Sequence, residues 1–246
     1  MECRNCGHQA NGKFCSNCGQ RTRVGRITLN SLLNEVSQGV FKVNKGFFYT
    51  MKGLFLRPGS LLQEFLEGKR KQHFKPISYV LVLSTLYFLV TQFVGQSTWF
   101  DDLVTGFMEG GVERNKDAEA PSVLIWLSNN YAYASLLLLP VFSLASYLAF
   151  LHFSKNYFEH IVINAYITGQ QAILYAIFAL TGTFIETELL EAFPFLVSPA
   201  YTFWVFWQVF PKGNRVLNIL RSLMAYILYL LFGAVLLIAS LALIKL

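Results

Sequence analysis

Four cysteines near the amino terminus are the residues whose types and spacing most clearly predict chemistry. They form two pairs, Cys3-x-x-Cys6-Gly7 and Cys15-x-x-Cys18-Gly19. Two such pairs can supply four thiolates to a tetrahedral Zn²⁺ ion, and the glycine after each pair permits a tight turn that directs backbone amides towards the sulfurs. The sequence therefore predicts a zinc ribbon over residues 1–24.

Only eight residues separate Cys6 from Cys15, so the predicted ribbon is a minimal one without an apolar core, and metal binding must fold it. Four thiolates fill all four coordination positions, which indicates a structural rather than a catalytic metal. Two alternatives use the same cysteines. One is a pair of disulfides, which a reducing cytoplasm disfavours, and the other is an iron or redox centre.

A second candidate site lies in the third long apolar stretch. Its polar residues recur at the spacing of one helical face and are His160, Asn164, Thr168 and Gln171. Polar groups within hydrocarbon must face protein or water. This polar stripe is therefore predicted either to hydrogen-bond neighbouring helices or to line a path for a proton, an ion or a substrate.

No familiar catalytic pattern accompanies these residues. The sequence has four histidines and contains no nucleophile elbow, metalloprotease motif or glycine-rich phosphate loop. Enzymatic activity is left open by the sequence and is not supported by it.

The elements that must position these residues are mostly embedded in a membrane. Hydrophobic residues make up 54% of the 246 residues and charged residues 14%, whereas soluble domains contain about 25% charged residues. The charge is also segregated, because residues 1–76 carry 13 Lys and Arg against 4 Asp and Glu. Anionic membrane lipids are a suitable partner for this basic half. Nucleic acid is disfavoured, since no nucleic-acid-binding fold signature is present.

A basic collar, residues 69–75, directly precedes the first apolar stretch. Its cations are Lys69, Arg70, Lys71 and Lys75. The following residues 77–94 have no formal charge and are long enough to cross a hydrocarbon core of about 30 Å. Because cations beside a span remain in the cytoplasm, we expect a cytoplasmic amino terminus and a collar that contacts anionic headgroups.

The transmembrane domain is predicted to occupy residues 77–246 and to contain five helices. The predicted spans are residues 77–94, 132–152, 161–183, 192–210 and 222–244. The fourth contains two prolines, and the sequence leaves two alternatives for it: a helix that crosses the membrane fully, or a broken or re-entrant helix. With five crossings the carboxyl terminus lies outside.

Residues 25–76 are too apolar to be a linker, yet they contain no apolar run that is long enough to cross the membrane. Their apolar residues follow two helical repeats, which are Leu29, Leu32, Leu33 and Val36, and Phe47, Phe48, Met51, Leu54 and Phe55. These amphipathic helices are predicted either to lie in the membrane interface or to pack on the cytoplasmic face of the bundle.

Several short motifs in this part resemble a known family. They are Cys3-x-Asn5-Cys6-Gly7, Phe14-Cys15-x-x-Cys18-Gly19-Gln20, Gly25-Arg26-Ile27-Thr28, Lys45-Gly46-Phe47, Arg57-Pro58-Gly59 and Glu67-Gly68-Lys69-Arg70 through Phe74-Lys75-Pro76. The sequence resembles the bacterial membrane proteins of domain of unknown function 3667 over roughly residues 3–76. The resemblance implies a zinc ribbon fused to a membrane domain in bacteria, and it implies no activity.

The predicted fold is thus an all-α integral membrane helical bundle with a small zinc ribbon and interfacial amphipathic helices, in the bacterial inner membrane. A closed metal site offers a rigid surface without chemistry, so the predicted function is a platform that recruits a cytoplasmic protein partner. The alternatives are a small transporter or channel that uses the polar stripe, and a membrane enzyme that acts on lipid.

Overall fold

The all-α fold predicted from the sequence is confirmed. The computed structural model describes residues 1–37, 45–112, 122–184, 188–211 and 214–244. Within these residues the chain forms ten α-helices and no strand beyond two isolated bridges in the ribbon. The helices are α1 (Leu29–Ser37), α2 (Lys45–Leu56), α3 (Pro58–Glu67), α4 (Pro76–Val94), α5 (Trp99–Val112), α6 (Ser122–Asn129), α7 (Tyr131–Ala149), α8 (Tyr157–Gly182), α9 (Glu188–Val209) and α10 (Arg215–Ile244).

Four helices in the described part of the chain are long and apolar enough to cross a membrane. They are α4, α7, α8 and the Arg215–Leu236 part of α10, and they coincide with four of the five predicted spans. The predicted span at 192–210 overlaps α9 and ends one residue beyond it. Helix α9 is not among these four, and its crossing of the membrane stays a prediction.

Helix α8 is the central helix of the bundle. It packs against α4, α7 and α9. In the most apolar 18-residue stretch of α8, 72% of the residues are buried, against 11% in the corresponding stretch of α10. A β carbon on Gly169 would lie 2.6 Å from Cδ1 of Tyr79 and 3.3 Å from Cα of Val80. Only a glycine permits this close approach of α8 to α4. The peripheral helix α10 instead exposes apolar side chains such as Leu220 and Ile227, as expected of a helix that faces lipid.

Helix α8 begins four residues before the predicted span because its first turn is capped. The Asn156 side chain accepts a hydrogen bond from the Glu159 amide, and the Glu159 carboxylate accepts one from the Asn156 amide. This capping box satisfies backbone donors that have no partner within the helix.

Packing on the bundle, one of the two arrangements that the sequence left open, is observed for one face of each amphipathic helix. In α2, Phe47 and Leu54 are buried against the bundle, whereas Phe48 and Phe55 are exposed. In α1, Leu32 is buried and its neighbours Leu29 and Leu33 are exposed. The side chain of Val36 lies outside the description. Each helix therefore packs on the bundle along one face and exposes further apolar side chains, and their contact with the membrane interface stays a prediction.

Candidate metal centre and its docking surface

The four cysteine side chains converge at one point. Their sulfurs all lie within 4.8 Å of one another, and the Cys3–Cys18 and Cys6–Cys15 Sγ pairs are each 3.6 Å apart. All four cysteines are free, and 3.6 Å is far longer than a disulfide bond of about 2.0 Å. The arrangement fits a metal ion held by four sulfurs rather than two disulfides.

The two cysteine pairs have the same local backbone, as their spacing predicts. The Gly7 amide donates to the Cys3 carbonyl and the Gly19 amide donates to the Cys15 carbonyl, each at 2.8 Å. Both glycines have a positive φ, +72° and +70°, which is a conformation that favours glycine. The two turns therefore present their cysteines to one centre in equivalent ways.

Local interactions shift the pKa of both thiols of the second pair. A hydrogen bond from the Cys18 backbone lowers the pKa of Cys15 to about 6, against the opposing effect of burial. Burial raises the pKa of Cys18 to about 11. A bound cation would hold both as thiolates, because only the deprotonated sulfur is a metal ligand.

The ribbon docks on the turn that joins α3 to the basic collar, chiefly through Gln20. The Gln20 side-chain amide donates to the Gly68 carbonyl at 2.8 Å, and its oxygen accepts from the amides of Arg70 at 2.9 Å and Lys71 at 3.0 Å. Gln20 is buried. One side chain of the ribbon thus satisfies three backbone groups of this turn, residues 68–71.

Within the collar, Arg70 contacts protein. Its guanidinium donates to the carbonyls of Gly25 at 3.0 Å and Phe65 at 3.3 Å, and it lies 5.6 Å from the centre of the Phe65 ring. Lys69 and Lys71 are exposed, while Lys75 is half-buried. The predicted contact of these collar residues with lipid headgroups stays a prediction.

A second link joins the segment after the ribbon to the start of α8. Arg26 donates to both carboxylate oxygens of Glu159, at 2.7 and 3.1 Å, and to the Ser154 carbonyl at 2.7 Å. The carboxylate raises the pKa of Arg26 through this hydrogen bond. The Glu159 side chain is only 6% exposed, against 61% for Arg26. Arg26 therefore supplies the opposite charge that a buried carboxylate needs.

We expect the Arg26→Ala variant to be less stable than the natural protein by about 1–2 kcal/mol. Removal of one partner from a buried charge pair costs about 3–5 kcal/mol, and we reduce that figure because Arg26 is largely solvated. Thermal unfolding of the purified protein in detergent measures the change. Arg23→Ala, at an exposed arginine close to Arg26 in the chain, is the control. Equal unfolding temperatures for the two variants would contradict a stabilising role of the ion pair.

The residues of the polar stripe contact two different neighbouring helices. On the α7 side, Ser146 Oγ lies 3.0 Å from His160 Nδ1 and accepts from the Asn164 side-chain amide at 2.8 Å. On the α9 side, Gln171 donates to Thr202 Oγ1 at 2.9 Å and to the Ser198 carbonyl at 3.0 Å. Thr168, between them, is half-buried. These contacts favour the interpretation of the stripe as interhelical hydrogen bonding.

Two atoms of the stripe lack such a partner. Within the described residues, His160 Nε2 and Asn164 Oδ1 are buried without a hydrogen bond. Buried water commonly pairs with groups of this kind.

These features define an all-α membrane protein with a four-cysteine site that can hold a metal ion. A family model described as a protein of unknown function (DUF3667) matches residues 44–88, which cover α2, α3, the collar and the first part of α4. The match supports the predicted resemblance over this segment, and the four cysteines lie outside it. Searches of curated proteins and of solved structures found no match.

Proposed function

We propose that this protein is a bacterial inner-membrane protein whose zinc ribbon forms a cytoplasmic platform for a protein partner. The observation that carries the proposal is the docking of the ribbon. Gln20 joins it to the turn at 68–71, and Arg26 joins the following segment to α8. A surface fixed to the bundle at two points is pre-organised for binding, which reduces the entropy cost of association.

The orientation of this platform is supported by the charges beside it. Arg26 reaches Ser154 in the α7–α8 loop, and Gln63 of α3 donates to the Val209 carbonyl at the end of α9. The α7–α8 loop and the end of α9 therefore lie on the same side of the bundle as the ribbon and the collar. Lys155 lies in the α7–α8 loop. Cations concentrated on one side indicate the cytoplasm. Because α8 begins and α9 ends on this side, the arrangement also favours a crossing by α9.

The exposed face of the ribbon indicates the chemistry of the partner. Phe14 is 57% exposed, and the Arg21 guanidinium lies 6.0 Å from the centre of its ring. Aromatic and arginine side chains contribute much of the binding energy at protein interfaces. An acidic protein surface with an apolar pocket would complement this pair.

Charge reversal at Arg21 tests the proposal. Arg21→Glu should reduce crosslinking to the partner by at least about tenfold, the loss expected from about 1.4 kcal/mol at an interface arginine. Lys52→Glu makes the same charge change at an exposed position of α2 and should leave crosslinking intact. The bound metal content should be equal in both. Equal crosslinking by the two variants would contradict a platform on the ribbon.

A further inference from the structure

A collar lysine lies beside the turn that carries Cys18. Gly19 directly follows Cys18, and Lys71 Nζ is 3.8 Å from the position that a β carbon would take on Gly19. Four thiolates carry more negative charge than one divalent cation neutralises, so a loaded centre has a net negative charge. The Lys71 ammonium is placed to offset that charge.

The backbone of the same lysine contacts both halves of the ribbon. Its amide lies 3.0 Å from Gln20 Oε1 and 3.3 Å from Asn5 Oδ1, and it donates to both. Asn5 lies between the cysteines of the first pair, and Gln20 comes two residues after the second pair. Both acceptors are therefore positioned only when the two cysteine turns are held together. The described ribbon has no buried apolar cluster beyond its cysteines and Ala10, so a metal must hold these turns.

We propose that metal binding at the four cysteines and docking of the ribbon on the turn at 68–71 are one coupled equilibrium. In this coupling Lys71 provides the counter-charge of the metal–thiolate centre. Coupling between two binding events is reciprocal. The collar thus raises the affinity of the ribbon for metal, and bound metal fixes the collar. This coupling does not depend on the recruitment of a protein partner, and it assigns Lys71 to the metal centre rather than to a lipid headgroup.

Zinc affinity of the full-length protein tests the role of the collar. The protein is placed in nanodiscs of zwitterionic lipid, so that lipid charge does not contribute, and Zn²⁺ is titrated in competition with a chromogenic chelator. Lys71→Gln and Gln20→Ala should each weaken zinc binding by at least about fivefold. Lys69→Gln removes a neighbouring exposed cation and should change the affinity by less than about twofold. Equal affinities for Lys71→Gln and Lys69→Gln would overturn the proposal.

Salt separates the effect of charge from that of packing. At about 1 M salt the Debye length falls to about 3 Å, so the difference between Lys71→Gln and the natural protein should shrink. A difference that is independent of salt would overturn the counter-charge role of Lys71.

Hydrogen exchange tests the reverse direction of the coupling. The Arg70 and Lys71 amides donate to Gln20, so removal of metal by a chelator should accelerate their exchange by at least about tenfold, while the amides in the middle of α8 keep their protection. Unchanged exchange at residues 70 and 71 after complete metal removal would show that docking does not require the metal.

Discussion

The Cys15→Ser, Cys18→Ser double variant should bind no metal and have an unfolded ribbon, while its membrane bundle stays folded. The only buried hydrophobic residues of the described ribbon are Cys3, Ala10 and Cys15, with Cys18 packed against them. Such a piece has no apolar core, and small zinc modules gain on the order of 10 kcal/mol of folding free energy from their metal. The bundle has its own continuous core and does not need this contribution.

Elemental mass spectrometry of the purified protein measures the metal content and identifies the metal, and limited proteolysis of residues 1–28 reports the folding of the ribbon. Ser16→Ala, an exposed position between the two mutated cysteines, is the matched control and should keep the full metal content. A double variant that retains one metal ion per chain would contradict assignment of these sulfurs as ligands. Iron in place of zinc would support the iron or redox centre that the cysteine spacing also allows.

Gly59→Ala should cause the second largest loss of stability. A β carbon on Gly59 would lie 2.3 Å from Cβ of Gln208 and 2.8 Å from its backbone carbonyl carbon. A side chain can rotate away from such a clash, but the backbone of α9 cannot, so α3 and α9 must separate. The Gly59 amide would then lose its hydrogen bond to Gln208 Oε1. We expect a loss of about 3 kcal/mol, the upper end of the range for overpacked sites.

Thermal unfolding in detergent measures this loss, and Gly233→Ala in α10 is the control. No heavy atom lies within 4 Å of a β carbon placed on Gly233, so the control should be neutral or slightly stabilising. Equal unfolding temperatures for the two variants would show that α3 and α9 are not closely packed at Gly59.

The features that the sequence predicts well are those encoded over short distances. A pair of cysteines separated by two residues predicts a metal-binding turn without any knowledge of the rest of the fold. The length of an apolar run likewise identifies a span, since the thickness of the bilayer sets that length. The Asn156-x-x-Glu159 capping box was also visible in the sequence and would have moved the start of α8 to Tyr157.

The docking contacts could not be predicted in this way. Gln20 and Arg26 are ordinary polar residues, and their partners lie 48 and 133 residues further along the chain. Nothing in the local sequence distinguishes them from solvated side chains. The periodicity of the polar stripe did predict a single face of α8, but it contained no information on which helix would contact each part of that face.

The link between Arg26 and Glu159 sets an order in which the protein can be assembled. Chains are synthesised from the amino terminus, so the ribbon and Arg26 leave the ribosome long before Ser154 and Glu159, which appear after well over half of the chain. The segment after the ribbon cannot take its final position until α7 and the start of α8 have been made. Completion of the face that carries the ribbon is therefore a late step, which requires α7 and the start of α8 to be in place. A chain truncated before α8 leaves Arg26 without its carboxylate partner.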